Sequence, residues 1–200
     1  MSTKKRLNPS TVLLFTVLHI LAALGIFFHT SAALLVFFLL YLITGFGVTV
    51  GYHRLLTHRG FKTTPFVLNL LATAGALSAH GGPLFWVSIH RQHHQFTELE
   101  ADPHDSSLGF WWSHIGWLLC ADNFLEYDPS YVSDLSINPW LSWLNRYFIL
   151  LQLLLGTILF LVTYHFSGMY GAVSMFIWAI PLRFIAVAHS SWLTNSVAHL

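Results

Sequence analysis

Residues 31–50 read SAALLVFFLLYLITGFGVTV, and residues 51–58 follow at once as GYHRLLTH. The first stretch carries no charge and has the roughly 20-residue length that a helix needs to cross the ~30 Å hydrocarbon core of a bilayer. His53 and His58 arrive as soon as it ends. The chain therefore reads as a membrane helix that delivers imidazoles to the membrane surface.

The whole sequence agrees. Of its 200 residues 55% are hydrophobic, 16% aromatic and only 8% charged. Soluble domains carry about 25% charged residues. A net charge of +1 gives no footprint for nucleic acid. Cys120 is the single cysteine, which excludes an internal disulfide and a Cys-rich zinc site. Thirteen histidines outnumber nine Lys and Arg together, so histidine is the residue that needs explaining.

Outward from 31–58, Thr11–Phe28 is a second candidate span, interrupted only by His19 and joined through His29-Thr30 as a hairpin. Lys4, Lys5 and Arg6 precede it as they would in a signal peptide. The run is near spanning length and no small-residue cleavage pattern follows, so it is expected to be retained. Phe66–Leu77 is too short to span and fits a helix at the membrane surface, ended by Gly81-Gly82-Pro83. Ile89 to about Asn145 holds all eight acidic residues, between Glu98 and Asp134, interleaved with Trp111, Trp112, Trp117, Trp140 and Trp143. Tryptophan favours the interface. Tyr147–Tyr164 and Tyr170–Ala188 are further spans, the last interrupted by Pro181 and Arg183. The expected fold is an all-α membrane protein, one domain over 1–200, with about four transmembrane helices and a helical cap. Arg54, Arg59, Lys62, Arg91 and Arg146 lie between the second and third spans. The positive-inside rule then puts that segment and the N-terminus in the cytoplasm.

The histidines fall into spacings. His53 and His58 (i, i+5) lie about 140° apart on an α-helix. They would serve two neighbouring metals, or the helix would end between them. His93 and His94 lie near −60° and +40° of His90, so all three share about 100° of one face. Asn195 and His199 (i, i+4) also share a face. Neutral imidazole suits Fe, Zn, Cu and Ni. His19, His29 and His165 read as hydrogen-bonded packing residues, and His104 and His114 as surface groups or supports for ligands. A histidine-lined proton path is the rival reading. Such a path needs groups strung across the bilayer, whereas the two main motifs cluster at one face.

The residues HRLLTHRGF over 53–61 resemble the first histidine box of the membrane fatty acid desaturases of the stearoyl or Δ9 type, and HRQHHQF over 90–96 resembles the second. EADPH (100–104), SHIGW (113–117) and WLTNSVAH (192–199) resemble the stretches that follow in that family, from about Tyr41 onward and in the same order. The resemblance implies two irons and O2 as co-substrate. It assigns His53, His94 and His199 to one iron and His58, His90 and His93 to the other, with Asn195 reaching the second through water. It also places His80, Trp86, Ser191 and Trp192 along a bent acyl tunnel. The implied reaction inserts a cis double bond into a fatty acyl chain, with electrons from a separate ferredoxin or cytochrome b5 type protein. The site would face the cytoplasm in a multi-pass integral membrane protein among membrane lipid.

Two departures follow. The family's third box lies beyond the position of His199, so these residues are expected to be a piece of a longer product, or a truncated, non-catalytic metal-binding relative. Acyl-CoA members carry an Asn at the position of Gly81 and an Arg-Lys pair at Cys120-Ala121. Their replacement here, with acids at Asp122, Glu126 and Asp128, leaves room for an acyl-lipid rather than an acyl-CoA substrate. A lipid hydroxylase or ketolase on the same scaffold would show similar ligands.

Overall fold

The computed structural model describes residues 6–97, 99, 101–120 and 126–197, all helical or irregular, with no strand among them. Helix α1 (Pro9–Ala23) is capped by Asn8, whose side chain accepts from the Ser10 and Thr11 N–H groups at 3.0 and 3.4 Å. After a short turn, α2 (Ser31–Phe46) starts on the Thr30 side chain. It runs without a break into a π-helical segment, Gly47–Thr57. Helix α3 (Pro65–Ala76) is capped by Thr64, and α4 (Pro83–Phe96) begins on a proline at its first turn. The cap holds a π turn (Trp112–Gly116) and two short helices, α5 (Trp117–Cys120) and α6 (Ser133–Ser136). The chain then continues through α7 (Pro139–Ile177), a π segment (Trp178–Leu182) and α8 (Arg183–Val197).

Three helical stretches are long and apolar enough to cross a membrane: Pro9–Ile26, Ser31–Thr57 and Pro139–Val197. Their outer faces expose large apolar side chains such as Leu13, Ile20, Phe38, Leu42, Leu153 and Leu161. The third stretch has 59 residues, which as one rod would be about 88 Å long, far more than a bilayer. It is not one rod. Gly168 adopts φ 67° and ψ −169°, a conformation open essentially to glycine alone, and Tyr147 is also non-helical. The chain folds back at Gly168: a side chain at Gly156 would meet Phe176 and Ile180, and Gln152 meets Arg183. The α1–α2 turn lies at the same end, because Tyr170 and Trp178 donate to the Phe27 and Phe28 carbonyls. At the opposite end the Asn8 N–H donates to the Leu119 carbonyl, joining the start of α1 to the cap.

The expected surface helix is α3. It is held at its C-terminus by side chains from the membrane helices. Arg183, fully buried, donates to the Leu77 carbonyl and to Gln152 Oε1 (2.7 Å), while Gln152 Nε2 donates to the Ala76 and Leu77 carbonyls (3.3 and 2.9 Å). These bonds satisfy helix-end carbonyls that have no intrahelical partner. Arg183 therefore does not interrupt the last span, because its charge is spent inside the fold. Pro181 sits in the π segment, where the helix is already irregular. The core beneath the site joins Tyr52, Leu55 and Leu56 to Ala72 and Ala76 of α3, Leu84 and Val87 of α4, and Leu141, Leu144 and Phe148 of α7.

Candidate metal centre

The π segment Gly47–Thr57 sets the geometry of the first histidine pair. In a π-helix the bond runs from i+5 to i, and here the His58 N–H donates to the His53 carbonyl at 3.1 Å. Residues five apart are thereby brought into line, and the two Nε2 atoms lie 3.1 Å from each other. An α-helix would have split them by about 140°. The segment ends at His58, and Arg59 follows in the left-handed region (φ 50°), closing the turn. Close packing holds it on α3: a Cβ on Gly47 would lie 2.3 Å from the Gly75 nitrogen, and one on Gly51 2.8 Å from the Leu71 carbonyl oxygen.

Helix α4 supplies the second pair. His90 and His94, one turn apart, place their Nε2 atoms 3.1 Å apart. His53, His58, His90 and His94 together bring one ligand nitrogen each within 4.8 Å of the others. His58 and His94 are exposed, His53 and His90 half-buried. Arg91 locks α4 to the π segment, donating to the Leu56 carbonyl (2.8 Å), the Tyr131 carbonyl (2.6 Å) and Asp134 (2.7 Å). Asp134 also receives Arg59 at 2.6 Å. Burial raises the Asp134 carboxyl, but the hydrogen bonds and charges of Arg91 and Arg59 hold it below the usual carboxylate range.

His93 does not join these four. Although His90, His93 and His94 share one face by spacing, His93 is buried and its Nδ1 lies 2.9–3.0 Å from both Asp102 oxygens. His104 completes a buried trio, its ring tilted against that of His93 at 4.2 Å and its backbone N–H donating to Asp102 at 3.1 Å. With its oxygens already accepting these hydrogen bonds, Asp102 acts as an acceptor that fixes the orientation of the His93 ring. In the sequence Asp102 stands out only as a member of the EADPH stretch (100–104). Its signal was an acid a few residues past a histidine triplet in an otherwise acid-poor chain. His104 and His114 are buried rather than on the surface.

The remaining expected residues divide. The Trp86 ring lies 4.8 Å from His90 and 6.4 Å from His53, so it walls the cluster. His80 sits 5.5 Å from Phe184, Phe184 is 6.2 Å from Phe15, and Phe15 is 5.6 Å from Trp192, forming one aromatic line. Ser191 is half-buried beside Trp192. Asn195 lies on the last turns of α8, and His199 falls outside the described residues.

The donor set fits a transition metal. Four imidazoles facing one another have no stable arrangement as cations. Burial, and then the His53, His94, His93 and His58 rings, push His90 down to about 2, which keeps its lone pair available. Neutral imidazole binds iron among other first-row metals.

Fold and site together define an all-helical protein with three helices long and apolar enough to cross a membrane and a cluster of imidazoles that could hold a metal ion. Comparison with known proteins gives the lineage: the chain belongs to the fatty acid desaturase family, whose model matches residues 29–200. It is 40% identical to an sn-1 stearoyl-lipid 9-desaturase of Anabaena variabilis, over 99% of this chain and 71% of that protein. It is 39% identical to an sn-2 palmitoyl-lipid 9-desaturase of Nostoc sp., over 94% of this chain and 65% of the relative. An sn-1 stearoyl-lipid 9-desaturase of Synechocystis sp. matches at 36%, over 98% of this chain and 61% of its own length.

Proposed function

We propose that these residues form the membrane domain of a diiron acyl-lipid desaturase that places a cis double bond at Δ9. The observation that carries this reading is the convergence of His53, His58, His90 and His94 beside Trp86, in a chain of this family. An unactivated methylene offers neither an acidic proton nor a leaving group, so the reaction needs a redox metal and O2. Iron bound here would supply that oxidising power, removing two vicinal hydrogens as O2 is reduced to water with external electrons and protons. His53, His94 and His199 are assigned to one ion, and His58, His90 and His93 to the other, with Asn195 adjoining through water. Asp102 holds the His93 ring through Nδ1, which leaves Nε2 as the nitrogen that would bind the ion. Arg91 and Asp134 hold the two histidine pairs at a fixed distance. Trp86, His80, Ser191 and Trp192 line the acyl path, and its shape decides which carbons face the metals.

The 59-residue stretch, folded at Gly168, supplies two crossings, which makes four in all with the metal centre on the cytoplasmic side. Exposed Arg54 and Lys62 beside His58 would meet an acidic electron carrier such as a ferredoxin; a cytochrome b5 type donor is the other candidate. The 9-desaturase relatives named for stearoyl- and palmitoyl-lipid favour an acyl-lipid substrate, as do Gly81 and Cys120.

The test is expression of the full-length gene with an electron donor, followed by mass spectrometry of total acyl chains. A product lighter by two hydrogens at Δ9 is expected. A product heavier by one oxygen would make the protein a hydroxylase. Purified protein without iron or product would make it a non-catalytic relative.

A further inference from the structure

A second set of histidines lies apart from the metal centre and forms a line rather than a cluster. His19 Nδ1 lies 2.7 Å from the Phe15 carbonyl oxygen. His19 Nε2 is 3.0 Å from His189 Nε2, and His189 Nδ1 is 2.9 Å from His114 Nε2. His114 Nδ1 is 3.0 Å from Ser196 Oγ, which is 3.1 Å from the Trp192 carbonyl oxygen. The line thus has five hydrogen-bond links and ends at both sides on a carbonyl, which can only accept. Each neutral imidazole brings one N–H and serine brings one O–H. Three rings and one hydroxyl therefore supply four protons for five links. In the neutral state one link has no proton. One added proton fills every link, and nowhere along the line is there room for a second.

We propose that His19, His189, His114 and Ser196 form a binding site for a single excess proton, shared along the line, that ties α1 and the cap to α8. The line uses none of the four clustered imidazoles, although it ends on Trp192, which the proposed acyl path also uses. None of the three rings has a carboxylate partner among the described residues, so ion pairing does not supply the charge. The rings of Phe110 (5.4 Å) and Trp192 (5.8 Å) cover His114. From α2 the hydroxyl of Tyr41 reaches Ser190, not the line. Arg183 of α8 is engaged with the Leu77 and Ala179 carbonyls and with Gln152, and Cys120, on α5, is the one thiol of the sequence. Burial holds the His114 imidazole below its ordinary value, against a hydrogen bond to the Trp192 backbone that raises it. An acceptor at each end offsets this by giving the added proton a complete set of bonds.

The experiment is a pH titration of the full chain in lipid bilayers, with isotope-labelled histidine read by nitrogen chemical shift. The three rings are expected to take up one proton per chain in a single shared step, as interacting sites do. Ser196→Ala removes the last two links and the need for the extra proton. It should weaken proton affinity by about tenfold or more, the worth of a hydrogen bond to a charged group. Ser196→Thr, which keeps the hydroxyl, should restore the wild-type midpoint and guards against a folding artefact. Rings that titrate separately would overturn the proposal. So would a midpoint unmoved by Ser196→Ala, or no proton uptake over the range in which the helices stay folded.

Discussion

Replacing Asp102 by asparagine keeps the size of the side chain but removes the charge that fixes the His93 tautomer. Partners that orient a metal-bound histidine typically contribute 10- to 100-fold in metal affinity or activity. Asp102→Asn in the full-length protein is expected to lose iron affinity by about that factor with helical content unchanged, as read by iron analysis and circular dichroism. His80 gives a pH prediction. Burial, opposed by the Ser78 carbonyl and aided by the Arg183 charge, lowers it to about 4. Its unfolded value is near 6.5. Between those values the unfolded chain binds the proton and the folded chain does not, so stability falls as pH drops from about 6.5 to about 4 and this loss stops below that. His80→Gln should flatten the dependence of melting temperature on pH in that window.

At the scale of elements, the glycines of the α2–α3 crossing are the sensitive points. Gly47→Ala would push a methyl into the Gly75 backbone, and Gly75→Ala into the Tyr52 ring at 2.5 Å. Gly47→Ala should destabilise by more than about 2 kcal/mol, because backbone cannot yield, and Gly75→Ala by about 1–3 kcal/mol, because the fully buried Tyr52 ring has little room to shift. Gly45→Ala meets nothing within 4 Å and should be neutral or stabilising by up to about 1 kcal/mol through helix propensity. Thermal unfolding in detergent would rank the three. The apolar helices and the short α3 were legible because apolar runs and Gly-Pro breaks are local signals. The meeting of His53 with His58 was not. Nothing in GYHRLLTH announces a π-helix, which depends on how tightly Gly47 and Gly51 pack on α3. The departure of His93 toward Asp102 was hidden for a similar reason: spacing gives the face of a helix, while the partner that claims a side chain comes from a distant loop.

Across the whole molecule, the two short turns lie at one end and the His53, His58, His90 and His94 cluster at the other. If α7 and α8 cross the bilayer separately, Gly168 faces the side opposite the metal centre. A cysteine placed at Ser167 in a Cys120→Ser background should be labelled by an impermeant thiol reagent from the outside of intact cells. A cysteine placed at Lys62 should be labelled only after permeabilisation. Gly168→Val should reduce membrane-integrated protein, since the glycine-only conformation costs a branched residue on the order of 1–3 kcal/mol.

The π segment at the end of α2 has a consequence for how this sequence tolerates change in length. A π turn holds one residue more than the α turn it replaces. Deleting a single residue between Gly47 and Tyr52 would let the segment relax into an ordinary α-helix without shortening the span, so the protein should still insert and fold. The same deletion would rotate His58 away from His53 by roughly a third of a turn and dismantle the cluster. A one-codon deletion here is thus a change that spares the architecture and removes the chemistry. Surplus length in the backbone, rather than any side chain, is what separates the two.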